Sequence, residues 1–377
     1  MDPAALDGVL VADFSRVLAG PYATMLLADL GATVVKVERP GSGDDTRAWG
    51  PPYAPDGQST YFHSVNRNKR SIALDLTDPD DLAVAQHLAR TCDVLVQNYK
   101  PGGLRRFGLD HTSVAEVNPG VVYCSISGFG SGEGRDLPGY DLLVQAMGGL
   151  MSITGDEEPT KAGVAVVDVL TGLHATVAVL AALRHRDLTG SGQHVEVSLL
   201  SALLSSLVNQ SSAFVGAGEV PQRLGNAHPS IAPYDLFATA DRPMIIAVGN
   251  DAQFRRLAEV LQRRDLADNP DYRTNSDRVA HRDSLKADLE QVLHMRGADH
   301  WQSVLTESGI PCGPINTIDQ AFGLAARLGL DPVVDAGGMP VVANPVHYAG
   351  TPPQYRSAPP RVDGDRAEVL ALLRERA

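Results

Sequence analysis

One carboxylate stands out in the stretch 161–174, KAGVAVVDVLTGLH. Asp168 lies between Ala165, Val166 and Val167 on one side and Val169 and Leu170 on the other. Downstream, Leu170, Leu173, Val177, Leu180 and Leu183 recur at three- and four-residue spacing, the period of a buried helix face. Asp168 is therefore expected at or near the start of that helix. Free N–H groups and a partial positive charge there suit an Asp that caps the helix. The same setting keeps a carboxylate ionised, and an ionised carboxylate can attack an acyl carbon. Spacing alone favours the cap, and the two roles are compatible.

Other chemistry-bearing residues are fewer. Arg39 follows a predicted second strand in ERPG, and Lys100 and Arg106 follow a fourth in NYKPGGLRRFG. Placed after parallel strands, they could hold phosphates, although most loop arginines are merely solvated. There is no GxSxG elbow for a serine nucleophile, and Cys124 falls inside a predicted strand. The eleven histidines are scattered without HExxH, so no metal site is expected. His174 is expected to pack on its helix. Tyr140 and Asp141, in PGYDLLVQAMGG, precede a helix, and Asp141 alone reads as that helix's cap. A dinucleotide fingerprint is missing: SRVLAGP follows the first strand, and GFGSGEG carries Glu133 where the third glycine belongs. What remains is an enzyme that uses a single carboxylate near a phosphate-rich ligand.

The elements that must position these residues alternate. Strands are expected at 8–14, 32–38, 71–76, 93–99 and 120–130. Helices fall between them: one with Pro21 in its first turn and Gly31 at its stop, one over 78–91, and a short one near 112–117. Alternation of this kind means βαβ units and a parallel sheet with ligands bound beyond the strands' carboxyl ends. A short strand, HVEVSLL, and one helix, SALLSSLVNQSSAFVG, follow the Asp168 helix. The Pro-rich stretch 221–234 marks a boundary. Beyond it a hairpin turning at 241–243 and helices near 251–262, 281–294, 298–308 and 317–328 form a smaller α+β domain. The expected division is a Rossmann-like large domain, 1–220 completed by 333–377, and a small domain, 221–332.

At 377 residues and a net charge of -13, the chain has room for two domains and speaks against nucleic acid as a partner. Three cysteines without CxxC spacing and a start without a basic n-region give the expectation of a cytoplasmic protein. The most apolar run, 176–183, is too short to span a bilayer, so no membrane partner is expected.

In order and spacing, a longer set of motifs is highly specific: DFSRVLAGPYATMLLADLGATVVKVERPGSGDDTR, NRNKRSIALDL, VLVQNYKPG, SGFG, GYDLLVQAMGGLMSITG, DVLTG, TGSGQHVEVSLL, and DYRTNSDRVAHRDSL before GIPCGPI. With these the chain resembles, nearly end to end, the class III CoA-transferase family. That group holds formyl-CoA transferase and carnitine CoA-transferase and also includes α-methylacyl-CoA racemase. The resemblance implies that Asp168 is the catalytic nucleophile. It would form a mixed anhydride and then an aspartyl-CoA thioester while CoA moves between carboxylic acids. It implies CoA contacts at Val17, Leu18, Ala19, Arg39, Leu74, Asp75, Leu76, Thr77, Asn98, Tyr99, Lys100 and Arg106. It further implies acyl-CoA as substrate with no permanently bound cofactor, and a homodimer of interlocked rings.

Two departures narrow the expectation. The racemase branch carries a His before the Asp of the GYD segment, and here that position is Tyr140, which disfavours racemisation. The formyl-CoA and oxalate branch carries a glycine run over the site, and 223–237, RLGNAHPSIAPYDLF, has none, which disfavours oxalate. The latter form looks more like relatives acting on larger acids, including succinyl-CoA-dependent ones. His228 lines the acyl pocket in that case, and is a structural loop residue beside Pro229 otherwise. Tyr140 and Asp141 are the other substrate-proximal candidates. The leading reading is a CoA-transferase. The alternatives are an acyl-CoA racemase or epimerase of the same fold, and a CoA-binding protein without turnover.

Overall fold

The structure, a computed structural model, describes residues 3–376. Its first unit runs up to Leu150 and adds Ala162–Val220 and the chain from Asp331. Six parallel strands form its sheet: β1 (Leu10–Phe14), β2 (Thr33–Glu38), β3 (Lys69–Ala73), β4 (Val94–Gln97), β5 (Val122–Ser127) and β6 (Gln193–Ser198). Their order is β3-β2-β1-β4-β5-β6, so the sheet grows one way from β1 and the other way from β4. Doubly wound sheets bind ligands where the order reverses, here at the ends of β1 and β4.

Strand β1 is buried along its whole length, as a strand covered on both faces must be. On one face Val11, Val94, Val122 and Cys124 pack with Ala23, Leu27, Ala175 and Val179, from the helices Ala19–Asp29 and Val166–Thr189. On the other, Leu10, Val35, Leu95 and Tyr123 pack with Leu88 and with Val369 and Leu373 of the last helix, Arg366–Glu375. Pro21 lies in the first helix's opening turn, and Gly31 stops it at φ +109°, a backbone that suits glycine.

Two expectations need correction here. The apolar segment 176–183 belongs to a helix of 24 residues, Val166–Thr189, which contains an 18-residue stretch of mean hydropathy 1.9, long and apolar enough by those measures to cross a membrane. It is a core helix, because Val167, Ala175, Val179 and Ala182 are buried against the sheet. The stretch 201–216 is not one helix. The chain breaks at Val208, φ +44°, into Leu199–Ser206 and Asn209–Ala217, bent by 85°.

The second unit comprises Met151–Lys161 and Pro221–Leu330. The segment Met151–Lys161 was expected in the large domain. It belongs instead with the second unit, where the Arg223 guanidinium donates to the carbonyls of Asp156 and Glu157. This unit holds the antiparallel strands β7 (Tyr234–Phe237), β8 (Met244–Ala247) and β9 (Cys312–Pro314). Phe237, Ile246, Phe254, Leu257, Leu289 and Trp301 form its core. A two-stranded hairpin, β10 (Val333–Ala336) and β11 (Met339–Val342), opens the last part of the first unit.

Candidate active site

Asp168 is the third residue of its helix, and the helix's N-cap position is Ala165, which offers no side-chain cap. The cap comes from elsewhere. Asp141 Oδ1 accepts from the backbone N–H groups of Val167, at 2.8 Å, and Asp168, at 3.2 Å. Asp141 itself opens the helix Asp141–Met147, behind Tyr140. Its other oxygen accepts from Gln145 Nε2 at 2.6 Å, and buried Gln145 in turn accepts from Ala162 N at 2.9 Å. Both readings of an Asp as a cap of its own helix are thus corrected: Asp168 caps nothing, and Asp141 caps the helix of Asp168.

This arrangement also corrects the expected ionisation. The free N–H groups that would hold Asp168 charged are occupied by Asp141. Burial first, and then the Asp141 charge, push the Asp168 carboxyl up to about 7. Tyr61 senses the same pair: burial, Asp168 and Asp141, with Asp44, push its phenol up to about 12, so it stays a neutral hydroxyl. Tyr61 stands on the short helix Thr60–His63, which Ser59 caps, and meets the Trp49 ring edge-on at 5.2 Å.

Asp168 opens onto a cavity of about 380 Å³ at the carboxyl ends of β1, β4 and β5. Val17, Leu18, Ala19, Asn98, Tyr99, Lys100, Tyr140 and Asp141 line it with Asp168. A buried polar frame holds the first of these loops. Asn98 accepts from Arg16 N at 2.9 Å and donates to Arg16 O at 2.7 Å, lacing the ends of β1 and β4 together. Val17, at φ +69°, donates its N–H to the Asp44 carboxylate, which pairs with fully buried Lys36 at 2.9 Å. Lys36 also donates to Ser15 O, and below it Asp13, its carboxyl held down to about 2 by Lys69 and Lys36 against burial, binds Lys69 at 3.0 Å.

The remaining expected contacts stand along the same sheet edge but outside this cavity. Arg39 follows β2 and pairs with Asp45. Leu74, Asp75, Leu76 and Thr77 follow β3, where Asp75 accepts from the Thr77 N–H and hydroxyl. Arg106 lies in the turn after β4 with its guanidinium over the Phe107 ring. Lys100, at the cavity, pairs with Asp136 at 2.9 Å. His228 belongs to the second unit. Its Nδ1 accepts from Ser230 N at 3.1 Å, which places the neutral ring's proton on Nε2.

Sequence reasoning missed Tyr61, Arg16 and the 137–139 wall of the cavity. Tyr61 had no signal, since a tyrosine in a four-residue helix has no periodicity to read. The wall had one. A Cβ on Gly128 would stand 2.4 Å from Gly139 Cα, so two glycines let these backbones touch and carry Tyr140 and Asp141 over the end of β5.

The profile of the CoA-transferase family III matches residues 6–366. Succinate–glutarate CoA-transferase of Agrobacterium fabrum is 43% identical over 98% of this chain and 95% of its own. Acetyl-CoA:oxalate CoA-transferase of Acetobacter aceti is 40% identical over 96% of this chain and 94% of its own. A crystal structure of a CaiB/BaiF family protein from Brucella suis superposes with a TM-score of 0.89 at 40% identity, covering 99% of this chain and 100% of that one. The chain belongs to the CoA-transferase family III and is a CoA-transferase.

Proposed function

We propose that the protein moves CoA from succinyl-CoA, or a similar acyl-CoA, to a small carboxylic acid, with Asp168 as the covalent nucleophile. The observation that carries this reading is the partly buried Asp168 carboxylate, its proton held near neutrality, opening beside Asp141 onto a cavity at the sheet's switch point. The ionised Asp168 attacks the donor thioester carbonyl, and CoA thiolate leaves as a mixed anhydride forms. The thiolate then attacks the aspartyl carbonyl, releasing the donor acid and leaving an aspartyl-CoA thioester. The acceptor carboxylate attacks that thioester, and the expelled thiolate takes the acceptor's carbonyl from the second anhydride and frees Asp168. Covalent exchange of this kind depends on excluding water from the anhydrides.

Several features support the finer points. A relative named for succinate and glutarate is 43% identical, and one from Haloarcula hispanica named for succinyl-CoA and mesaconate is 38% identical. A relative named for oxalate is 40% identical, so oxalate belongs in any acceptor panel despite the missing glycine run. Tyr140, where racemases need a proton-carrying His, supports transfer over racemisation. We assign CoA contacts to the three loops after β1, β2 and β4 and to the 74–77 turn. We assign the protein to the cytoplasm and to a homodimer.

The test is intact-protein mass spectrometry after incubation with succinyl-CoA, trapped with hydroxylamine or borohydride. A trapped adduct mapping to Asp168 supports the mechanism. Deuterium uptake at the acyl α-carbon with no adduct from any donor would favour the racemase reading instead.

A further inference from the structure

The carboxylate of Asp141 lies within hydrogen-bonding distance of the backbone of the nucleophile, yet the transfer chemistry requires only one carboxylate. Its position explains what it does. A helix's first N–H groups and positive end normally favour an ionised carboxylate placed among them. Here the second and third N–H groups of the Asp168 helix both point at Asp141 Oδ1, and Gln145 holds the other oxygen. Gln145 also accepts from Ala162 N, so the strap running into Asp168 is fastened to the Asp141 helix at both ends.

We propose that Asp141 is a positioning residue for the transfer: by occupying the open end of the Asp168 helix, it fixes the direction of Asp168 and surrounds it with negative charge. The proposal rests on the reading of Asp168 as nucleophile. One charged group acts on Asp168 from the elements packed against it, Asp141 of the preceding helix; Tyr61, from the helix Thr60–His63, feels the charge of both carboxylates and stays neutral. A carboxylate left to the helix end would be a weak base and a sluggish nucleophile. Denied that end and placed beside a like charge, Asp168 keeps its basicity, and nucleophilic reactivity rises with basicity. The fixed backbone has a second use. Asp168 must present first its oxygen to the donor and then its own acyl carbon to CoA thiolate, and misplacement by about 1 Å costs on the order of 10²-fold in such steps.

Two substitutions separate the two effects. Asp141→Asn keeps an oxygen that can accept the same two N–H groups but removes the charge, whereas Asp141→Ala removes both. The readout is the single-turnover rate of Asp168 adduct formation with succinyl-CoA between pH 5 and 9, with steady-state kcat and KM beside it and circular dichroism as a check on folding. The wild-type rate rises with pH to a plateau, with its midpoint near neutrality. In the Asn variant the midpoint moves to lower pH by roughly one unit and the plateau falls several-fold, with KM for the acyl-CoA nearly unchanged. In the Ala variant the plateau falls on the order of 10²-fold. An Asn variant with the wild-type midpoint would overturn the charge role, and an Ala variant no slower than Asn would overturn the positioning role. If the Ala variant does not fold, the Asn midpoint alone decides. Failure of wild-type protein to form an Asp168 adduct would instead remove the nucleophile reading on which the proposal rests.

Discussion

At the scale of the residue, Asp168 sets reactivity against stability. Its carboxyl is raised from 3.8 to about 7, chiefly by burial. A carboxyl that binds its proton more tightly folded than unfolded stabilises the fold fully below about pH 4. That contribution is lost as pH rises through 7, because the unfolded chain ionises first. Asp168→Asn should therefore abolish adduct formation and exchange while raising stability by about 2–4 kcal/mol at pH 8, with little effect at pH 4. Urea unfolding of both proteins at the two pH values checks the sign, and a variant less stable at pH 8 would contradict it. In the second unit, fully buried Arg278 donates to Ala232 O at 2.7 Å and Tyr272 O at 3.0 Å and pairs with Asp251. Arg278→Ala should cost roughly 3–5 kcal/mol, read as a lowered thermal midpoint, because it strips partners from buried carbonyls and from Asp251. Asp168 itself is legible in the sequence as a lone carboxylate in an apolar helix start. Its partner's true task is not, because a cap supplied by a residue 27 positions away leaves no local pattern.

At the scale of the element, the Asp168 helix crosses the helix Ala19–Asp29 at Gly172. A Cβ there would stand 2.7 Å from Ala19 O and 3.0 Å from the Tyr22 ring, and a backbone carbonyl cannot step aside. Gly172→Ala should cost about 1–3 kcal/mol. Because Ala19 lines the cavity, KM for acyl-CoA should also rise. Thermal unfolding and steady-state kinetics on one preparation test both, and an unchanged KM would show that the loop absorbs the shift. The strands and helices of this unit are legible because buried parallel strands read as continuous apolar runs and the helices between them carry their own stop signals. The break at Val208 is not: LVNQSS has neither Pro nor Gly to mark the positive φ there.

At the scale of the whole molecule, the alternation of elements and the Pro-rich stretch near 221 expose the two-unit plan. The assignment of Met151–Lys161 is hidden, because it depends on Arg223 reaching back some 67 residues. The surface carries the last argument. In the first unit Val177, Leu188, Val208 and Val215 are 66%, 67%, 70% and 83% exposed, along the Asp168 helix and the bent pair that follows it. An apolar surface on this scale is costly for a chain in water and marks a contact site. A second copy fits the homodimer that the family resemblance implies, and it would bring the same residues together across a symmetry axis. Light scattering behind size exclusion should therefore give twice the 40.0 kDa chain mass. Val177→Glu with Val215→Asp should halve it, because each charge would be buried unpaired, while far-UV circular dichroism stays native. A wild-type protein that runs at the single-chain mass at micromolar concentration would overturn the dimer. A double variant that stays dimeric would move the interface away from these helices.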